Sequence, residues 1–290
     1  MSAVISQISV GLSIASILLL VSLGLAIIYG TMGVINLAHG EFVMLGAYSV
    51  WFLQSLFGLN LITCLPIVFV LVGVVGLLIE WLLIRHLYTR PLDTILATWG
   101  VGVILQQAIR LSAGAELRYV KMPDFLTNPV HIGFYEESAY RIFIFFVAFS
   151  LVVITYLLIF HTEYGMRLRA ITQNREIARC FGINAGRIYA LTFAYGAGLA
   201  GIAGALVSPL KSVAPDMGTN YVVDAFLVVV MGGVQSLLGT IASSYLIGQA
   251  SGVLGFLTND TMAKAIVFLG VVALIRLFPQ GLFTMRVNRG

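Results

Sequence analysis

Nine long apolar runs constrain the fold of this 290-residue sequence more than any other feature. The runs cover residues 8–30, 34–57, 61–84, 93–112, 139–160, 188–208, 221–236, 238–257 and 263–280. A helix needs about 20 residues to cross the hydrocarbon core of a bilayer, and most runs are long enough. The run 221–236 is short, and a glycine-rich break joins 8–30 to the run that follows it. We therefore predict an all-α polytopic membrane protein, one transmembrane domain over residues 1–290, with about eight spans and up to ten.

The composition supports lipid as the solvent for much of the surface. Apolar residues make up 60% of the chain and charged residues only 10%, whereas a soluble domain carries about 25% charged residues. The alternating strands of roughly ten residues that build a membrane β-barrel are absent from the sequence, so the spans should be helices. The net charge of +4 lies mainly between the runs, where it indicates topology, and no nucleic-acid partner is expected.

The arginines between the runs predict which loops face the cytoplasm. They cluster after the third run, in the segment 162–187, and near the end of the chain: Arg85, Arg90, Arg167, Arg169, Arg175, Arg179, Arg187, Arg276, Arg286 and Arg289. Loops rich in Lys and Arg stay on the cytoplasmic side. We therefore predict a cytoplasmic C-terminus and an extracytoplasmic loop at 113–138. That loop is long enough to be a lid or a docking surface, or it is an ordered surface loop without a function.

The segment 162–187 contains the signals of a short helix. Asn174 is a good N-cap, Glu176 lies in the first turn, Gly182 is placed as the stop residue, and Asn184 can cap the next helix. One predicted face carries Ile177, Ala178 and Phe181, and another carries Arg175 and Arg179. Such an apolar patch rimmed by arginine suits a groove on a soluble partner. It also suits a helix that rests on anionic lipid headgroups.

Four stretches of the sequence resemble one family of bacterial permeases. Glu176-x-Ala178-x-x-x-Gly182 resembles the cytoplasmic coupling signature of ATP-binding-cassette permeases, without the later Leu-Pro of its fullest version. Residues 29–42 resemble permeases that import branched-chain amino acids and urea, and 224–240 are similar to a segment shared across that family. Residues 90–107 resemble the urea branch in particular.

The resemblance implies the permease subunit of an ATP-driven importer in the bacterial inner membrane, closest to a urea permease and moving urea or short amides. Two cytoplasmic ATP-binding subunits would bind the ATP, so no cofactor is expected in this chain. A homologous second permease, or a second copy, and an extracytoplasmic solute-binding protein are the other implied partners besides the lipid bilayer. The residues implied to couple the chain to the ATPases are Arg175, Glu176, Ala178, Arg179 and Gly182. A branched-chain amino acid permease is the alternative, and an ATP-independent channel and a membrane scaffold are rival classes.

Polar side chains within the apolar runs are the candidates for a substrate path. They are Asn36, His39, Glu41, Gln106, Gln107 and Gln235. Polar groups at this depth are expensive and usually face the bundle interior or a water-filled path. Amide side chains could exchange hydrogen bonds with urea, which is neutral and rich in donors and acceptors. The alternative is that these residues fasten helices to one another.

Glycines interrupt two of the runs in a similar way. Gly33-Val34-x-x-Leu37 and Gly233-Val234-x-x-Leu237 match at a distance of 200 residues, which predicts an internal repeat around a central path. Two charged residues of the runs have simpler expected roles. Asp224 is predicted to be a helix N-terminal cap or boundary residue, and Glu80 to pair near Arg85.

Known catalytic and nucleotide-binding patterns are missing from the sequence. It contains no Gly-x-x-x-x-Gly-Lys-Ser/Thr motif, no His-Glu-x-x-His and no Cys-x-x-Cys, so neither a phosphate-binding loop nor a metal site is expected. Cys64 and Cys180 should be free thiols. We expect that the chain alone is not an enzyme.

Overall fold

The computed structural model describes residues 2–88, 90–132, 135–234, 236–278 and 281–282. These ranges hold eleven α-helices and two short β-strands. In chain order they are α1 (Ser2–Met32), α2 (His39–Phe57), α3 (Leu61–Leu82), α4 (Pro91–Ala113), β1 (Pro129–Ile132), β2 (Tyr135–Ser138), α5 (Ala139–His161), α6 (Glu163–Gln173), α7 (Arg175–Cys180), α8 (Ala185–Val207), α9 (Met217–Gly232), α10 (Leu237–Leu257) and α11 (Asp260–Leu277).

Each of the nine apolar runs corresponds to one helix, which confirms the all-α polytopic fold. Within the described ranges, six helices are long and apolar enough to cross a membrane, namely α1, α3, α4, α5, α8 and α10. Three further apolar helices lie among them. α2 carries His39 and Glu41, α9 has only 16 residues, and α11 carries three charged side chains. The predicted number of eight spans lies between the six long helices and the nine apolar ones.

The helix α8 forms the centre of the bundle and is buried along most of its length. It meets its neighbours at glycines, where backbones touch without an intervening side chain. A Cβ atom at Gly196 would lie 2.7 Å from the Gly24 carbonyl oxygen of α1, and one at Gly204 would lie 1.9 Å from the Val43 carbonyl oxygen of α2. In lipid, helices associate through such close packing because the hydrophobic effect between them is absent.

The outer helices α3, α4 and α5 expose large apolar side chains, as the predicted contact with lipid requires. Leu96 and Ile104 of α4 and Phe146 of α5 are examples. Exposed apolar surface on this scale marks contact with a membrane or with another subunit.

The connecting segments gather at the two ends of the bundle. At one end, called the arginine end, the guanidinium of Arg175 lies over the ring of Tyr88, and its Cζ atom is 5.5 Å from the ring centroid. At the other, called the hairpin end, Arg118 and Val213 exchange backbone hydrogen bonds of 2.9 and 2.8 Å. This grouping agrees with the sides that the loop charges predict for 85–90, 162–187 and 113–138. The side of the membrane that each end faces stays a prediction.

The 113–138 loop contains a small antiparallel hairpin that the sequence analysis does not predict. Strands β1 and β2 pair with Val130 opposite Glu137. Each strand has only four residues, which is too short for a clear alternation of polar and apolar side chains.

Candidate substrate path and coupling surface

The chain breaks between α1 and α2 within the bundle, as the sequence predicts. Gly33 has a φ of 66°, a left-handed conformation that favours glycine, and it ends α1. The Asn36 side-chain oxygen then accepts a hydrogen bond from the Ala38 N–H at 3.0 Å. The Leu37 N–H donates to the Thr98 hydroxyl of α4 at 3.1 Å. Because backbone groups in a bilayer must be bonded inside the protein, these two side chains make an irregular segment possible here.

Asn36 and His39 are fully buried beside this break. The Nε2 atom of His39 lies 3.0 Å from the Val21 carbonyl oxygen, well inside the 31-residue α1, so α2 begins deep in the bundle. Within the described residues, Asn36 Nδ2 and His39 Nδ1 have no hydrogen-bond partner. A buried polar group without a partner costs about 1–3 kcal/mol. A water or a solute that reached this point would remove that cost.

Glu41 connects α2 to two other helices. Its Oε1 accepts a hydrogen bond from Gln106 Nε2 of α4 at 2.8 Å, and the same nitrogen lies 3.4 Å from Thr219 Oγ1 of α9. Glycines make room for the carboxylate, because a Cβ at Gly218 would lie 2.8 Å from Oε2. In the described part of the chain, Oε2 accepts no hydrogen bond. The structure is compatible with both interpretations from the sequence. The cluster fastens three helices to one another, and it also presents polar atoms inside the bundle, as a substrate path would require.

Of the two remaining predicted path residues, the structure describes only Gln107, which does not join this cluster. Gln107 is exposed on α4, one position away from Gln106, and Gln235 lies outside the described residues. The break after α9 begins at Gly233, whose φ of 91° is positive like that of Gly33. The two breaks therefore share a positive-φ glycine after a helix end, and the internal repeat stays a prediction.

The short helix α7 has the ends that the sequence predicts. The Asn174 side chain accepts hydrogen bonds from the N–H groups of Glu176 and Ile177, both at 3.0 Å. Gly182 has a φ of 78°. Its N–H donates to the Arg179 carbonyl at 2.9 Å, and the Ile183 N–H donates to the Ala178 carbonyl at 3.1 Å, which is a Schellman motif. The Asn184 side chain caps α8 by accepting from the Arg187 N–H at 3.1 Å.

The faces of α7 differ from the prediction. Ala178 is buried against α6 and α8, whereas Ile177 is 55% and Phe181 82% exposed, so these three residues do not share one face. The two arginines also separate. Arg175 is half-buried between the rings of Tyr88 and Tyr189, and Arg179 is exposed. In a helix of only six residues, a spacing of four residues does not decide which side chains are buried, because the neighbouring helices set the tilt of the helix.

The exposed surface of α7, taken with the residue that follows the helix, therefore consists of Glu176, Ile177, Arg179, Cys180 and Phe181. Arg175 and Ala178 face the body of the protein and hold the helix against it. Gly182 supplies the turn that follows.

A buried carboxylate supports this end of the bundle. Glu80 accepts a hydrogen bond from the Tyr88 hydroxyl and lies 3.7 Å from Arg85, which confirms the predicted pair. Burial, together with the hydrogen bond to Glu80, raises the pKa of Tyr88, so its hydroxyl stays protonated and available as a donor. Tyr88 thus links Glu80 to Arg175 of α7.

The structure contains a second polar site, at the hairpin end, that the sequence does not predict. A cavity of about 570 Å³ lies between α1, α9, α10 and α11. In it, Asp224 lies 3.1 Å from Lys264 Nζ. The predicted role of Asp224 as a helix N-terminal cap or boundary residue is wrong, because α9 already begins at Met217 and Asp224 lies within it. A charge inside an apolar run signals a buried partner, but the identity of that partner requires the tertiary structure.

Comparisons with known proteins give a consistent result over nearly the whole chain. The family model described as the permease component of branched-chain amino acid transport systems matches residues 7–276. The permease protein BraD of a high-affinity branched-chain amino acid transport system in Pseudomonas aeruginosa is 27% identical, over 96% of this chain and 95% of its own length. No solved structure matches significantly.

Two permease proteins of the Escherichia coli high-affinity branched-chain amino acid transport system are also similar to the chain. LivH is 26% identical over 94% of this chain and 92% of its own length. LivM is 24% identical over 94% of this chain but only 69% of its own length.

Proposed function

Because the chain belongs to the family of permease components of branched-chain amino acid transport systems, we propose that it carries branched-chain amino acids across the bacterial inner membrane, driven by ATP that separate subunits hydrolyse. The observation that carries the proposal is the family match over residues 7–276. The names of the systems to which BraD, LivH and LivM belong all refer to branched-chain amino acids. The chain itself binds no ATP in this proposal and is not an enzyme.

Urea is the second candidate substrate. It is supported by the resemblance of residues 90–107 to the urea branch. Gln106 of that stretch donates a hydrogen bond to Glu41 in the buried cluster, and an amide beside a carboxyl could exchange hydrogen bonds with a neutral diamide.

The importer that we propose has a defined orientation and three further kinds of partner. The arginine end faces the cytoplasm, with the C-terminus, and the exposed surface of α7 contacts one of two ATP-binding subunits. A homologous second permease completes the transport path. LivH and LivM support this, because both are permease proteins of the high-affinity branched-chain amino acid transport system of Escherichia coli and both are similar to this chain. An extracytoplasmic binding protein delivers the substrate to the hairpin end.

Transport would use the polar cluster around Glu41 in this proposal. Closure of the ATPases would move α7 and, through Arg175 and Tyr88, the helices packed on it. A permease can only shift between conformations that it already populates. We place such a shift at the contacts that join Glu41 to Gln106 of α4 and Gln106 to Thr219 of α9, since they connect helices beside the break.

Uptake of labelled leucine and labelled urea, at micromolar concentration, tests the proposal in cells with and without the gene. The strains should not differ in intracellular urea breakdown. We expect the deletion to abolish leucine uptake, and an energy poison to abolish it equally in the wild type. Loss of urea uptake alone would show that urea is the substrate and would leave the proposed importer mechanism unchanged. Uptake that survives the poison would contradict the ATP-driven mechanism, and unchanged uptake of both solutes would contradict the transport function.

A further inference from the structure

The hairpin-end cavity carries both signs of charge on an apolar wall. Two lysines, Lys211 and Lys264, and two aspartates, Asp224 and Asp260, line it. The apolar part of the wall comes mainly from aliphatic side chains, including Ile14, Ile17, Leu210, Leu227 and Ile247. The formal charge of the four groups sums to zero, because two positive and two negative groups are present. A cavity of this composition suits a ligand that is itself neutral overall but carries both charges.

Only two of the four charged groups form an ion pair with each other. Asp224 and Lys264 form an ion pair of 3.1 Å. Among the residues that the structure describes, Lys211 and Asp260 form no ion pair with each other or with any other group. One lysine and one aspartate are therefore left for a ligand.

The cavity is adjacent to the polar cluster around Glu41. Thr219 lines the cavity, and its hydroxyl also lies 3.4 Å from Gln106 Nε2, the nitrogen that donates to Glu41. A solute that left the cavity along α9 would meet this cluster next. The two sites thus form a continuous series of polar groups from the hairpin end into the bundle.

We propose that this cavity binds the zwitterion of an aliphatic α-amino acid. Lys211 receives the carboxylate, Asp260 receives the ammonium group, and the aliphatic wall receives the side chain. Hydrogen bonds between charged partners are stronger than neutral ones, and the cavity volume of about 570 Å³ lies within the usual range for small-ligand sites. Urea carries no charge, so it would leave both groups unpaired. The inference rests on the proposed function and assigns that substrate a site within this chain.

The test uses the complete importer, purified from its own cells and placed in proteoliposomes with saturating binding protein. The variants are Lys211→Gln and Asp260→Asn, with Lys211→Arg and Asp260→Glu as conservative forms. Lys121→Gln and Asp124→Asn are matched controls, because both residues are exposed at the hairpin end and neither lines the cavity. Leucine uptake and ATP hydrolysis are measured in the same preparation, with urea uptake alongside.

We expect the two neutral variants to lower leucine uptake about tenfold or more, the effect of losing roughly 1.4 kcal/mol of binding. ATP hydrolysis should stay within about twofold of the wild type, since the charges lie far from α7, and the conservative variants should retain most uptake. Wild-type leucine uptake in both neutral variants would overturn the site while leaving the proposed function intact. Uptake and hydrolysis that fall together would also overturn it, because a structural role explains that result. A wild-type importer that moves urea but not leucine would overturn both the substrate assignment and this site.

Discussion

At the scale of single residues, the bundle depends on glycines that let one backbone touch another. A Cβ at Gly204 would lie 1.9 Å from the Val43 carbonyl oxygen, whereas a Cβ at Gly100 of α4 would meet nothing within 4 Å. We expect Gly204→Ala to destabilise the protein by about 1–3 kcal/mol, because α8 and α2 must separate. Gly100→Ala, the control, should be neutral or stabilise by up to about 1 kcal/mol. Thermal unfolding in detergent measures both, and equal midpoints would contradict the packing described for α8.

Adjacent glutamines separate the two explanations for the Glu41 cluster, also at this scale. Gln106→Leu removes the donor to Glu41, while Gln107→Leu changes an exposed neighbour. A buried acceptor without its donor costs about 1–3 kcal/mol. If the cluster lines the path, Gln106→Leu should lower uptake at least about tenfold at a temperature where both variants stay folded. Normal uptake with a lowered unfolding temperature would instead show that the cluster only fastens helices.

At the scale of elements, α7 is positioned from within and presents two large apolar side chains outward. Phe181 is 82% exposed, and Phe125, at the hairpin end, is 59% exposed. We expect Phe181→Ser to leave the permease folded and to weaken its binding to the ATPase subunits about tenfold or more, because exposed aromatic side chains commonly dominate interfaces. Phe125→Ser is the matched control. Recovery of the ATPases on the tagged permease measures binding, and equal recovery with both variants would exclude Phe181 from the interface.

The elements also show how far the sequence predicts this structure. The ends of α7 were predictable because Asn174 and Gly182 act through contacts within a few residues of themselves. The pairs Glu41–Gln106 and Asp224–Lys264 join residues 65 and 40 positions apart, and no local pattern identifies such partners. The orientation of Arg175 and Phe181 was missed for the same reason, since the rings of Tyr88 and Tyr189 decide which side of α7 is buried.

At the scale of the whole molecule, two polar sites and one docking surface lie along the same bundle. The hairpin-end cavity leads through Thr219 to the Glu41 cluster, and the arginine end carries α7. α8 connects these regions, because it packs against α1, α2 and α3 and begins beside α7. A change at the arginine end can therefore reach the polar sites through one rigid, buried helix. This arrangement requires that the two ends face opposite sides of the membrane.

The two natural cysteines provide a test of that orientation. Cys180 is exposed at the end of α7, whereas Cys64 is buried in α3 and both are free thiols. If the arginine end is cytoplasmic, a membrane-impermeant maleimide should label Cys180 only after the inner membrane is opened, and Cys64 should stay unlabelled because reagent cannot reach it. Asp124→Cys, in the loop at the hairpin end, is the control and should be labelled in cells with an intact inner membrane. Labelling of Cys180 in cells with an intact inner membrane would show that the topology is the reverse of the one proposed. In that case α7 could not contact the ATP-binding subunits.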